Sequence, residues 1–96
     1  MNNFCFEKWH QDHIKVLYFA RIKESVNYST EDMMLPPEVS TISTLKDFLA
    51  KRGTVWADLF SGKQIVRAAI NHELVDDMMA INDGDEVAFF PPVTGG

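Results

Sequence analysis

Alternation of apolar and polar side chains marks the first element. Ile14, Val16 and Tyr18 fall on one side of an extended segment, and Lys15, Leu17 and Phe19 on the other. The pattern predicts a strand over residues 14–20. Both of its faces are substantially apolar, as in a central strand or one with a further partner. Residues 21–25 read as a helical turn or loop, and 27–32 as polar and turn-rich. A weaker strand is expected over 33–39, where Pro36 and Pro37 mark a sheet edge or an early end. The spacing then changes. Ile42, Leu45, Phe48 and Leu49 form a stripe at helical period, with Thr41 or Ser43 available as the cap. Lys51 and Arg52 are placed to favour the negative end of that helix, and Gly53 to stop it in a left-handed conformation.

A short helical segment follows over 55–60, with Trp56 and Leu59 inward, and then a turn at 61–63. Residues 65–71 alternate again, Val66, Ala68 and Ile70 against Arg67 and Ala69. A tight turn at His72 and Glu73 leads into a short strand at Leu74 and Val75. A connection over 76–81 and a turn at 82–85 precede the last strand, 86–90. There Val87 and Phe89 share one face, Ala88 and Phe90 the other. Strands broken by one main helix and a shorter segment predict an α+β fold. Three parts are expected: an N-terminal extension (1–13), one folded domain (14–90) and a tail (91–96). The extension has no clean period, yet Phe4, Phe6 and Trp9 are costly to leave in water. It is expected to pack on its own domain or on a neighbouring chain.

Composition narrows the function. The chain has 96 residues, is 46% hydrophobic and carries a formal charge of −5, without a basic cluster. Nucleic acid and anionic membranes are therefore not expected as partners, whereas a basic protein surface is a natural complement. The single Cys5 allows no internal disulfide, which fits a reducing compartment. No apolar run approaches the ~20 residues of a membrane span, and no secretory pattern opens the chain. A cytoplasmic location is expected.

No catalytic constellation is evident. There is no Ser/His/Asp set in a known motif context, no glycine-rich phosphate loop and no cysteine pair. Cys5, His10 and His13 do not match zinc spacing, and His72 falls in a turn. Neither Asp76 and Asp77 nor Asp83, Asp85 and Glu86 match a calcium loop. No metal is expected.

The distinctive chemistry lies in the ending Phe89-Phe90-Pro91-Pro92-Val93-Thr94-Gly95-Gly96. Proline cannot continue a sheet, so Pro91 and Pro92 are expected to lift the terminus away as a semi-rigid stalk. Gly95 and Gly96 lack Cβ atoms and can pass through a narrow channel. No charged side chain follows Glu86, so the α-carboxylate is the tail's only charge.

The stretch from Asp83 to Gly96, together with residues 14–20 and the middle of the chain, closely resembles the small, sulfur-carrying subunits of molybdopterin synthase. The resemblance covers roughly residues 14–96 and implies a ubiquitin-like β-grasp, a mixed sheet packed on one main helix with its first and last strands parallel. It implies a carrier without an active site of its own. An E1-like enzyme would adenylate Gly96 using ATP, and a sulfur donor would convert it to a thiocarboxylate. Val93, Thr94 and Gly95 would thread into the large synthase subunit of a heterotetramer. No intrinsically bound cofactor is implied.

A carrier needs a docking patch. If Val16, Tyr18, Val87 and Phe89 face the helix, then Leu17, Phe19 and Phe90 face away from it. Leu74 can join them from the hairpin. The alternation gives Phe19 a docking role, and the resemblance implies docking roles for Leu74 and Phe90, with Lys23 at the rim. Cover of one or two of these side chains by residues 1–13 is the competing expectation. Other functions compatible with the sequence are sulfur delivery for thiamine or tRNA, a ubiquitin-like modifier joined to lysines through Gly96, and an interaction module with an unmodified tail. The Phe-Phe-Pro-Pro-Val-Thr-Gly-Gly ending favours the first reading.

Overall fold

The computed structural model describes residues 12–92. The chain runs through strand β1 (Asp12–Tyr18), helix α1 (Ala20–Val26), strand β2 (Thr30–Leu35), helices α2 (Ile42–Ala50) and α3 (Thr54–Phe60), and strands β3 (Arg67–Ile70), β4 (Glu73–Val75) and β5 (Glu86–Phe90). The five strands form one mixed sheet in the order β2-β1-β5-β3-β4. β1 and β5 are parallel neighbours in the middle, and the remaining pairs are antiparallel. This is the expected α+β arrangement, with β2 at an edge just before Pro36.

Period-two alternation builds the core. Ile14, Val16 and Tyr18 of β1, Val87 and Phe89 of β5 and Ala68 and Ile70 of β3 are buried on the helix side. From α2, Ile42, Leu45 and Leu49 close over them. Side chains of this size each contribute about 1.5–3 kcal/mol when fully buried.

The N-terminus of α2 is tied down by two devices. Thr41 Oγ1 accepts from the Thr44 amide at 3.2 Å, and Thr44 Oγ1 accepts from the Thr41 amide at 2.8 Å, a reciprocal capping box. The next two donors are taken by the connection before β5: Ile42 N–H donates to the Met79 carbonyl (3.1 Å) and Ser43 N–H to the Asp77 carbonyl (2.8 Å). Lys46 Nζ donates to the Val66 carbonyl at 2.7 Å and to Asp77 at 2.9 Å, joining α2 to β3 and to that connection.

Several local expectations are corrected. β1 begins at Asp12 and ends at Tyr18, because Phe19 is the N-cap of α1 and Ala20 turns the chain with φ 55°. α1 is a full helix, not a turn: Ile22 and Val26, four residues apart, are both buried beneath it. β2 starts at Thr30, so part of the stretch read as a polar turn is strand, with Glu31 half-buried and Met33 and Leu35 buried. α2 ends at Ala50 with Lys51 in a right-handed cap. Gly53 serves instead as the N-cap of α3, at φ 158° and ψ −176°, an extended conformation that favours glycine. Arg52 does not serve the α2 dipole. It makes a two-pronged ion pair with Glu31 (2.7 and 3.0 Å) and lies 4.8 Å from the Trp56 ring centre.

Candidate docking face and tail root

Strand register places the outward residues in rows. Leu17 of β1 pairs with Ala88 of β5, Ala88 with Ala69 of β3, and Ala69 with Leu74 of β4. Partners directly opposite share a face, so these four side chains run straight across the sheet, opposite the helices. Two leucines flank two alanines, which makes a shallow apolar trough. Leu74 is 60% exposed and Phe19 48%, while Phe90 is half-buried beside Arg67. Among the described residues no second layer covers this face. Leu17, Phe19, Leu74 and Phe90 are thus brought onto one surface, as the alternation predicts, and Lys23 is exposed on α1. Ala69 and Ala88 complete the row. Their alternation was legible in the sequence, but their pairing required the strand order.

β5 leads directly to the tail. Phe89 is fully buried on the inner face, and its carbonyl accepts from the Phe19 amide at 3.1 Å. Rings close around it: Phe60 edge-on at 5.1 Å, with Trp56 stacked against Phe60 at 6.1 Å. The root of the tail is therefore held by the middle of the sheet. Pro91 and Pro92, both half-buried, are the last described residues. Val93, Thr94, Gly95 and Gly96 lie outside the described residues, as do Cys5 and His10, so nothing in the fold bears on their expected roles.

A polar cluster that the sequence reading missed stands behind the aromatic rings. Tyr18 Oη donates to Glu31 Oε1 at 3.0 Å, and the same carboxylate receives Arg52. Burial pushes the Tyr18 phenol well above its ordinary range, and the Glu31 charge adds to the effect. The Glu31 hydrogen bond raises the Arg52 guanidinium above its ordinary value. Nothing in the spacing of residues 18, 31 and 52 announces this cluster, because it depends on β2 pairing with β1. Its members are tied to one another, and they fasten the sheet edge to the segment between α2 and α3.

Among the described residues no three His, Cys, Asp or Glu side chains converge as a metal site. His72 is exposed in the β3–β4 turn. No helix among them is long and apolar enough to cross a membrane.

A mixed sheet with parallel central strands, one face packed on helices and the last strand running into a Gly-Gly ending, defines a ubiquitin-like β-grasp protein. Residues 16–96 match the ThiS family. Over 84 residues the chain is 43% identical to the molybdopterin synthase sulfur carrier subunit of Escherichia coli, covering 86% of this chain and 99% of that one. A Pyrococcus furiosus structure, of a protein proposed as subunit 1 of molybdopterin converting factor, is 28% identical with a TM-score of 0.68, covering 85% of this chain and 99% of that one. A subunit in the complex of subunits 1 and 2 of molybdopterin-converting factor from Helicobacter pylori shares the fold at 24% identity and a TM-score of 0.57, covering 88% of this chain and 99% of that one. The chain belongs to the ThiS family and, within it, to the molybdopterin synthase sulfur carrier subunits.

Proposed function

We propose that this chain carries sulfur on the carboxyl group of Gly96 and delivers it within a molybdopterin synthase. The observation that carries the reading is the continuity of β5 with the tail. The strand that ends in Pro91 and Pro92 is locked between β1 and β3, and the outward face beside its exit is apolar. A rigid body with a docking face next to a glycine-ended stalk suits chemistry performed on the stalk by other proteins. The names of the relatives support the same role.

A carboxylate is a poor electrophile, so it must first be activated. Its oxygen attacks the α-phosphorus of ATP on an E1-like adenylating enzyme, and pyrophosphate leaves. A sulfur nucleophile at the sulfide level, from a sulfur donor, then attacks the acyl carbon. AMP departs with the C–O bonding pair, leaving a thiocarboxylate. Docked on the large subunit, with Val93, Thr94 and Gly95 threaded, the thiocarboxylate sulfur attacks an oxygen-bearing side-chain carbon of cyclic pyranopterin monophosphate, and the new C–S bond replaces a C–O bond whose electron pair leaves with the oxygen. Water cleaves the resulting acyl–sulfur bond, so the sulfur stays on the pterin and the carboxylate is restored. Two rounds give the dithiolene. The acid–base groups belong to the large subunit, and this chain needs no resident cofactor. Phe19, Leu74 and Phe90 form the contact, with Lys23 at its rim.

Intact-mass measurement tests the central step. Incubation with the adenylating enzyme, ATP and a sulfur donor is expected to add the mass difference of one sulfur for one oxygen at Gly96. Deleting Gly96, or adding one residue after it, is expected to abolish transfer with the fold intact. Transfer that survives either change overturns the reading, and conjugates to lysine without any mass gain point to a modifier.

A further inference from the structure

The net charge of −5 favours a basic partner, but the strand order distributes that charge unevenly. β1 and β5 run parallel, so both begin at one pole of the sheet and both end at the other, where the tail leaves. The starting pole is acidic. Lys15 is flanked by Asp32 on β2 and Glu86 on β5, and its amide donates to the Asp85 carbonyl at 3.0 Å. Asp83 accepts from the His13 amide at 2.7 Å, next to Asp12. Glu73 opens β4 opposite Ile70, whose other neighbour is Val87 near the start of β5. Against these carboxylates stands one lysine, Lys15.

The tail pole has the opposite character. Arg67 lies directly across from Phe90. Arg21 and Lys23 are exposed on either side of buried Ile22, on the helix that is capped by Phe19 and packs on β5. Among the described residues Lys46, Arg52 and Lys63 are tied into ion pairs with carboxylates, whereas Arg21, Lys23 and Arg67 are not. Two carboxylates lie nearby. Glu24 is on α1, and Asp76, just past β4, accepts from the Met78 amide at 2.9 Å. We propose that Arg21, Lys23 and Arg67 form a cationic collar around the root of the tail, and that this collar seats on acidic side chains at the mouth of the site that receives the tail. The inference rests on the sulfur-carrier reading, because it needs a protein that takes the tail in.

Distance decides which charges a partner meets. Glu86 and Phe90 are four residues apart on β5, about 13 Å. The screening length at physiological ionic strength is about 8 Å, so a surface touching the tail root responds to the collar more than to the far pole. A basic mouth would draw the acidic pole inward and turn the tail away. An acidic mouth repels that pole and attracts the collar, so encounters begin tail first. The collar also adjoins the apolar contact: Arg67 borders Phe90, and α1 begins at Phe19.

The test is the association rate of the full chain with the large synthase subunit, followed by stopped flow at low and high salt. Arg67→Glu is expected to slow association about tenfold at low ionic strength. The difference should vanish near about 1 M salt, where the screening length falls to about 3 Å. Arg67→Glu combined with Glu73→Arg keeps the net charge at −5 but moves the positive charge to the far pole, and it is expected to stay as slow. Both positions are exposed, and thermal melting checks that each variant keeps its fold. Arg21→Glu combined with Lys23→Glu repeats the measurement on a different element and should slow association in the same salt-dependent way. Unchanged or faster association in Arg67→Glu would overturn the collar. So would recovery of the rate in the charge swap, because net charge alone would then govern the encounter. An unaltered chain that does not bind the large subunit would overturn the carrier reading and the collar with it, whereas binding that ignores these substitutions overturns the collar alone.

Discussion

Tyr18 and Phe89 sit opposite each other across the parallel β1–β5 pair, their rings stacked with centroids 6.4 Å apart and planes at 24°. The next residue on each side, Phe19 and Phe90, turns to the outer surface. The inner stack thereby fixes the separation of two side chains on the proposed docking face. Phe60 closes on Phe89 and Trp56 on Tyr18, at 5.1 and 5.8 Å, so truncation leaves a cavity that several rings cannot easily fill. Phe89→Ala is expected to cost about 3–5 kcal/mol in urea unfolding. A loss below about 1 kcal/mol would show that the cluster does not anchor β5.

The Tyr18 phenol gives a pH dependence of known sign. Its ionisation is pushed up in the folded state by burial and by Glu31, while in the unfolded chain it titrates near about 10. Below that value both states hold the proton, and the contribution to stability is fully present. As pH rises beyond it, the unfolded state loses the proton first, so the stabilisation is lost progressively toward the higher folded value. Denaturation midpoints are expected to fall more steeply above about pH 10 in the native protein than in Tyr18→Phe. Parallel curves would show that the phenol is not held neutral by the fold.

Much of the architecture was legible because local pattern and tertiary packing agree. Alternation in residues 14–18, 66–70 and 87–90 and the helical stripe of Ile42, Leu45 and Leu49 specify the buried faces directly. Helix α1 was legible only as a helical turn or loop because its apolar signal is a single pair, Ile22 and Val26, in an otherwise polar run. Glu31 read as part of a turn because its partner, Arg52, is distant in sequence and reaches it only once β2 has joined the edge. Gly53 was read as the end of one helix and proves to be the start of the next. Glycine tolerates either conformation, so composition alone could not decide. For the docking face, alternation separated inward from outward side chains, whereas the order of rows across the sheet is a property of topology.

The capping box is unusual in using a threonine where a longer polar residue is common. Thr44 Oγ1 receives the Thr41 and Ser40 amides, at 2.8 and 3.0 Å, and its own amide goes to Thr41 Oγ1. Thr44→Val keeps the shape but removes the acceptor, leaving two amides short of a partner. It is expected to lower stability by about 1 kcal/mol. Hydrogen exchange should accelerate at Ser40 and Thr41, and unchanged exchange at both would show that water replaces the hydroxyl without loss.

The trough on the outward face makes a prediction that separates shape from hydrophobicity. Leu74 is mostly exposed, so truncating it should not destabilise the fold, but it removes one wall of the row. Leu74→Ala and Phe90→Ala are each expected to weaken binding to the large synthase subunit by about 1–2 kcal/mol, measured by calorimetry. Ala69→Leu acts in the opposite sense: it adds apolar area but fills the floor between Leu17 and Leu74. If partners recognise only a greasy surface, it should tighten binding. If they insert a ridge into the trough, it should weaken binding despite the added area, because overfilled contacts force the two surfaces apart. Weaker binding by Ala69→Leu, with unchanged thermal stability, is the expected result. Tighter binding would mean that the small residues at the centre of the row have no part in recognition.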